Sequence, residues 1–298
     1  MTASRRLQAA GRLGEDVPLG PLTTYRFGGP ARYLVTIDGE QDLRDAFEIA
    51  TGEGLPLLPL GRGSNVVVSD TGFPGVVLQA GPGLSHRSIG EVTVAGAAVP
   101  LPLLARDSAR VGRGGLEFFT GIPGSVGGAI RMNAGCHGSE TGDVLISVRV
   151  FDLATSMVSE RTGADLDLAY RHSNLGDSDF VLEARFATVE RPAAEAEETI
   201  RDVARWRREH QPGGTFNAGS VFKNPEGEPA GRIIDRLGLK GLGSGAVSVS
   251  ERHANFFEAA EGATAGDMYS LVLEVQRLVR DETGIDLETE IRFVGEFP

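Results

Sequence analysis

The sequence predicts a mixed helix-and-strand fold made of two or three structural units. Three observations carry this. The chain has 298 residues, of which 41% are apolar and 23% charged, enough for more than one sizeable core in an ordinary globular composition. Segments with helical spacing interleave with segments that alternate or run apolar like strands. Finally, Gly61-Arg62-Gly63-Ser64-Asn65 follows one strand-like run and leads straight into another. A dinucleotide-binding Rossmann unit needs strand, Gly-x-Gly-x-x-Gly, then helix, and Val66 stands where its third glycine belongs.

In chain order, residues 1–20 read as a ragged leader. Asp38 is placed to cap a helix whose apolar positions Leu43, Phe47 and Ile49 fall near helical spacing and which stops at Gly52 and Gly54. Residues 55–60 read as a buried strand and residues 66–68 as a second. Strands follow at 76–79 and 92–95. A helix over 100–111 carries Leu101, Leu104, Ala105, Ser108 and Val111 on one face. Residues 144–151 and 180–189 alternate as strands, and 192–210 form a polar helix linking two domains. Thr264 with Asp267 makes a capping box for a helix to Arg280, with Leu271, Val275, Leu278 and Val279 as its apolar face and Gly284 as its stop. A last strand spans 290–294.

Composition narrows the function. The net charge of −12 argues against nucleic-acid binding. A phosphorylated ligand would have to be held locally, by clustered cations and backbone N–H groups. No run of ~18 apolar residues indicates a membrane span. Cys136 is the only cysteine, which rules out an intrachain disulfide and suits a reducing compartment. His86, His137, His172, His210 and His253 are scattered without ligand spacing, so no metal is expected.

Several segments invite a chemical reading. Gly121, Gly124, Gly127, Gly128 and Gly135 crowd into Gly121-Ile122-Pro123-Gly124-Ser125-Val126-Gly127-Gly128-Ala129-Ile130-Arg131-Met132-Asn133-Ala134-Gly135. Glycine is costly to order, so close approach of backbone to a flat or phosphorylated cofactor is the better explanation. The Gly61–Asn65 loop can form a nest for a pyrophosphate. Gly219 and Pro225 bracket Ser220, Lys223 and Asn224. Phe222 stands where the second glycine of a hydrolase elbow would be, so a hydrolytic serine is disfavoured. Arg171, in Ala169-Tyr170-Arg171-His172-Ser173, can grip a carboxylate with two parallel bonds. Strand alternation puts Glu288, Glu290 and Arg292 on one face. Arg201, Arg205, Arg207 and Arg208 share a helix with Trp206 and could attract a diphosphate.

Together with Thr24-Tyr25-Arg26-Phe27-Gly28-Gly29-Pro30-Ala31, Ala230–Gly241, His253-Ala254-Asn255-Phe256 and Leu287–Gly295, these segments resemble the UDP-N-acetylenolpyruvoylglucosamine reductase family from about Thr23 to Gly295. The short gap after Arg171 resembles the subtype without a long tyrosine-bearing insertion. The resemblance implies an α+β fold: a two-lobed FAD-binding domain of the vanillyl-alcohol-oxidase type over 21–191, divided near 80–90, and an α+β substrate-binding domain over 192–298. It implies non-covalent FAD held by Gly61, Arg62, Gly63, Ser64, Asn65, Gly121, Ile122, Pro123, Gly124, Ser125, Gly127, Gly128 and Asn133. NADPH is the implied co-substrate, a UDP-sugar enolpyruvyl ether the substrate, and a cytoplasmic monomer or weak oligomer the form. Catalytic positions fall on Arg171, Ser220 and Glu290, and substrate contacts on Lys223, Asn224, Arg232, His210 and His253. His210 departs from the family's usual lysine, and Cys136-His137 from its usual residues after Asn-Ala-Gly. The competing expectation is another FAD-dependent oxidoreductase of the same fold.

Overall fold

Alternating burial decides where the sheets lie. In the computed structural model, which describes residues 2–213 and 216–298, Val148, Val150, Ala184 and Phe186 are wholly buried along two paired strands. They belong to a five-stranded antiparallel sheet in the order Met157–Thr162, Leu145–Asp152, Asp179–Ala187, Val92–Gly96 and Arg87–Ser88. A four-stranded sheet runs in the order Leu13–Pro18, Pro30–Ile37, Phe73–Ala80 and Leu57–Leu60, its last two strands parallel. The α+β expectation is met.

The chain divides into two compact units. The first takes the chain through Asp16, then Arg32–Arg62 and Gly75–Arg207; the second takes Val17–Ala31, Gly63–Pro74 and Arg208–Pro298. The helix Ala193–His210 therefore groups with unit 1 as far as Arg207.

Two readings at the start of unit 1 are corrected. The supposed leader contains a helix, Ala3–Ala9, and the strand Leu13–Pro18. Seven residues are too few to hold a helix alone, so tertiary contacts must supply the stability. Ala3 and Leu7 are buried in the core, and the Arg6 guanidinium grips the Asp45 carboxylate with Nε at 3.0 Å. The helix Glu40–Glu53 is capped by Asp42 and not by Asp38. The Asp42 carboxylate accepts from Asp38 N at 2.8 Å and Gly39 N at 3.1 Å, while Asp38 Oδ1 accepts from Gly83 N at 2.8 Å.

Unit 2 has its own core, built around Phe222, Phe257, Ile233, Ile234 and the helix Ala265–Thr283. That helix has the expected capping box, with Asp267 N donating to Thr264 Oγ1 at 3.0 Å and Thr264 N to the Asp267 carboxylate at 3.1 Å. Gly284 ends it in left-handed geometry. A three-stranded antiparallel sheet runs Gly243–Ser244, Val247–Val249, Phe257–Ala259. The last strand, Arg292–Val294, starts later than expected and pairs in parallel with Val66–Val68. Among the described residues no helix is long and apolar enough to cross a membrane.

Candidate active site

Ser220 and Glu290 stand on neighbouring paired segments of unit 2. Ser220 bridges Phe256 on one side, and Phe222 bridges Thr289 on the other. Glu290 N donates to Val221 O at 2.7 Å, and the Glu290 carbonyl accepts from Asn65 Nδ2 at 2.9 Å. Arg292 N in turn donates to Asn65 O at 3.0 Å. Asn65, expected to hold cofactor, thus fixes the backbone of Glu290. The segment after Ser220 is held from the other side by Asn255, a buried side chain of the His253–Phe256 motif. Its Oδ1 accepts from Phe222 N at 3.0 Å and its Nδ2 donates to Phe222 O at 2.8 Å. A side-chain amide here replaces a strand partner for a buried peptide group.

Ser220 lines a cavity of about 360 Å³ together with Asn224, Arg232, Lys240, Arg252 and His253. Three cations, Arg232, Lys240 and Arg252, face one carboxylate, Asp235, in a chain of net charge −12. Asp235 pairs with Lys240 Nζ at 2.8 Å. Burial lowers the pKa of His253 from 6.5, so its ring is neutral at pH 7. Asn224 Oδ1 accepts from Ala230 N at 3.1 Å and so caps the helix Ala230–Arg236. Lys223 lies apart from this lining and pairs with Glu288 at 2.5 Å. His210, at the end of its helix, is not among the lining residues either. Sequence reading missed Lys240 and Arg252 because they come from separate loops; that the chain's only lysines are Lys223 and Lys240 was the one available hint.

Arg171 belongs to unit 1. It stands in a turn closed by Ala169 N to His172 O at 3.2 Å and His172 N to Ala169 O at 3.0 Å. Its φ of 54° is left-handed, which costs a non-glycine residue of order 1–3 kcal/mol and tends to mark functional positions. The guanidinium carbon stacks over the Tyr170 ring, 4.9 Å from its centre, and Nη2 donates to Gly135 O at 3.3 Å. Cys136 follows directly. Its thiol donates to Phe118 O at 3.0 Å, and burial pushes its pKa up to about 11 against the smaller pull of Arg207 and Arg171.

The glycines of unit 1 divide by cause. A Cβ on Gly121 would lie 2.4 Å from Cys136 Sγ, and one on Gly127 would lie 3.3 Å from Ala97 Cβ, so both are explained by packing. Gly128 is not: a Cβ there would meet nothing within 4 Å. A Cβ on Gly61 would point at Ser125 Oγ, 3.1 Å away, and at Gly128 N, 4.0 Å away. Bare backbone from two segments and a hydroxyl therefore meet beside open space, and Thr120 Oγ1 is buried without a partner among the described residues. These features fit a cofactor with a phosphate linkage and a flat ring. Gly63, by contrast, belongs to unit 2: its φ is +61° and a Cβ would lie 2.2 Å from Leu22 O, so the turn itself demands glycine.

A family model described as FAD binding domain matches residues 31–160, which covers the Gly61 loop and the Gly121–Gly135 segment. Flavin-dependent oxidoreductase is thus the class. A second model, the C-terminal domain of UDP-N-acetylenolpyruvoylglucosamine reductase, matches residues 211–294. The reductase of that name from Methylorubrum extorquens strain PA1 is 44% identical over 96% of this chain and 92% of its own length. The one from Acidiphilium cryptum is 40% identical over 97% and 93%. The crystal structure of the Thermus caldophilus reductase superposes with a TM-score of 0.81 at 37% identity, covering 94% of this chain and 98% of that one. The chain belongs to the UDP-N-acetylenolpyruvoylglucosamine reductase family.

Proposed function

We propose that this chain reduces the enolpyruvyl ether of UDP-N-acetylglucosamine to UDP-N-acetylmuramate, with Arg171, Ser220 and Glu290 as its catalytic residues. The observation that carries the assignment is the pairing of the Ser220 and Glu290 segments beside a cationic pocket. FAD, when bound, supplies the chemistry of taking a hydride from NADPH and delivering it to the terminal carbon of the enolpyruvyl group. Gly61, Arg62, Ser125 and Gly128 would hold it in unit 1, with Ile122, Pro123 and Gly124 along the same segment. Residues 192–298 would carry the UDP-sugar.

Hydride addition leaves an electron pair on the neighbouring carbon, delocalised into the carboxylate as an enolate. Arg171 neutralises that charge, and Glu290 in its protonated form donates a hydrogen bond to it. Ser220 Oγ–H delivers the proton that completes the new C–H bond. A serine hydroxyl is a weak acid, so the neighbouring enolate is what draws the proton across. Arg232, Lys240 and Arg252 bind the diphosphate, which relieves His210 of the duty its position suggested. Asn224 and His253 shape the rest of the pocket. UDP-sugar and NADPH chemistry of this kind belongs in the cytoplasm.

Ser220→Ala separates the two halves of the reaction. Flavin absorbance should bleach with NADPH near the parent rate, and its return on adding the enolpyruvyl substrate should slow by ~10²–10⁴. Equal slowing of both steps would contradict the serine's role. Rapid return of colour in air, with no response to the substrate, would favour an oxidase of the same fold.

A further inference from the structure

Asn133 was read from the sequence as a cofactor contact, but both ends of its amide are engaged within unit 1. Nδ2 donates to Ala169 O at 3.0 Å, and Oδ1 accepts from Gly142 N at 2.8 Å. The orientation is unambiguous, because Ala169 O can only accept and Gly142 N can only donate. Asn133 is wholly buried and is itself left-handed, with φ 40°, where it ends the helix Val126–Met132. Two residues later Gly135 O accepts from the Arg171 guanidinium. One short segment therefore holds both the backbone turn that carries Arg171 and the head of its side chain. Ser173 Oγ adds a bond to Arg131 O at 2.7 Å, tying the far side of the turn to the same helix.

From this geometry we infer that Asn133 is a positioning residue for Arg171: its amide holds the strained turn that aims the guanidinium. The inference rests on the proposed role of Arg171. An arginine stacked on Tyr170 and strained in its backbone has other rotamers and turn shapes open to it. The bond from Asn133 to Ala169 O, on the residue two before Arg171, opposes that relaxation. A misplacement of about 1 Å in such a group can cost ~10²-fold in rate.

Two substitutions separate the possible roles. Asn133→Gly keeps the left-handed backbone without strain and removes both amide bonds. Asn133→Asp keeps the acceptor for Gly142 N but sets a carboxylate against Ala169 O. Both should bind FAD with the parent affinity and be reduced by NADPH at nearly the parent rate. Reoxidation by the enolpyruvyl substrate should slow by ~10–100-fold. Without flavin, hydrogen exchange at His172 N, which closes the turn, should quicken in both variants while amides of the five-stranded sheet keep their protection. In an Arg171→Ala background, Asn133→Gly should add almost nothing, since it acts through the arginine. A full additional loss there, or a tenfold weaker FAD affinity, overturns the positioning role. If Arg171→Ala alone leaves reoxidation unchanged, the proposed function of Arg171 fails instead, and the exchange at His172 still decides whether Asn133 holds the turn.

Discussion

Arg171 stands in a four-residue turn with left-handed backbone, whereas Ser220 opens a segment bridged to Phe256 on one side and, at Phe222, to Thr289 on the other. Both neighbourhoods lean on a buried asparagine amide, yet the bonds do different work. Asn133 meets a single carbonyl of the arginine's turn. Asn255 satisfies both polar groups of Phe222, whose side chain is in the core of unit 2. The first amide governs aim; the second is part of the fold. A group on bridged backbone, such as the proposed proton donor Ser220, inherits its position from the backbone and core around it. One on a strained turn needs a dedicated partner.

The sharpest way to break this contrast is Asn255→Ala. It would leave Phe222 N–H and C=O buried without partners, so unit 2 should lose about 2–4 kcal/mol in denaturant unfolding. Asn133→Gly should lose much less. Equal losses would mean that both amides are merely structural.

Beside Arg171, the raised pKa of Cys136, about 11, means that roughly 10²-fold less thiolate is present at pH 7.5 than for an ordinary cysteine. Iodoacetamide should therefore label it slowly, and the rate should keep climbing with pH past 10. A plateau near pH 8.5 would show that the thiol is not buried as described.

On the serine's side, the pocket cations are next in size. Arg252→Gln with Lys240→Gln should raise KM for the UDP substrate by ~10-fold or more, flatten its salt dependence, and leave reduction by NADPH alone. Unchanged KM would send the diphosphate elsewhere.

The smallest effect is His253. Its pKa is lowered by burial, so the unfolded chain takes up the proton more readily than the folded one. The stability it contributes is present above about pH 6.5 and is lost as pH falls below that value. Melting temperatures between pH 7.5 and 5.5 should fall less steeply in His253→Asn than in the parent. Superimposable curves would remove this histidine from the pH response.

Local chemistry was legible in the sequence wherever one segment decided the outcome. The Thr264–Asp267 capping box, the strand at 66–68, the strand read at 144–151 and found at Leu145–Asp152, and the helix stop at Gly284 each depend on residues next to one another. What escaped depends on partners far along the chain. The Ala3–Ala9 helix exists because Leu7 finds a core and Arg6 finds Asp45. Two of the pocket cations, Lys240 and Arg252, come from loops that no spacing rule connects. Asn133 and Asn65 sit in glycine-rich segments that suggest ligand contact, while their amides serve backbone belonging to residues 36 and 225 positions away. Glycine density reveals that something approaches the backbone; it is silent on whether that is a cofactor, a thiol or another loop.

The parallel pairing of Arg292–Val294 with Val66–Val68 has a consequence for biogenesis. During synthesis the earlier strand leaves the ribosome more than two hundred residues ahead of its mate. It must wait, unpaired and apolar, until residues 292–294 emerge. The unit bearing the proposed proton donor therefore cannot close until residues 292–294 have been made, and a nascent chain halted before residue 292 should be a ready client for chaperones.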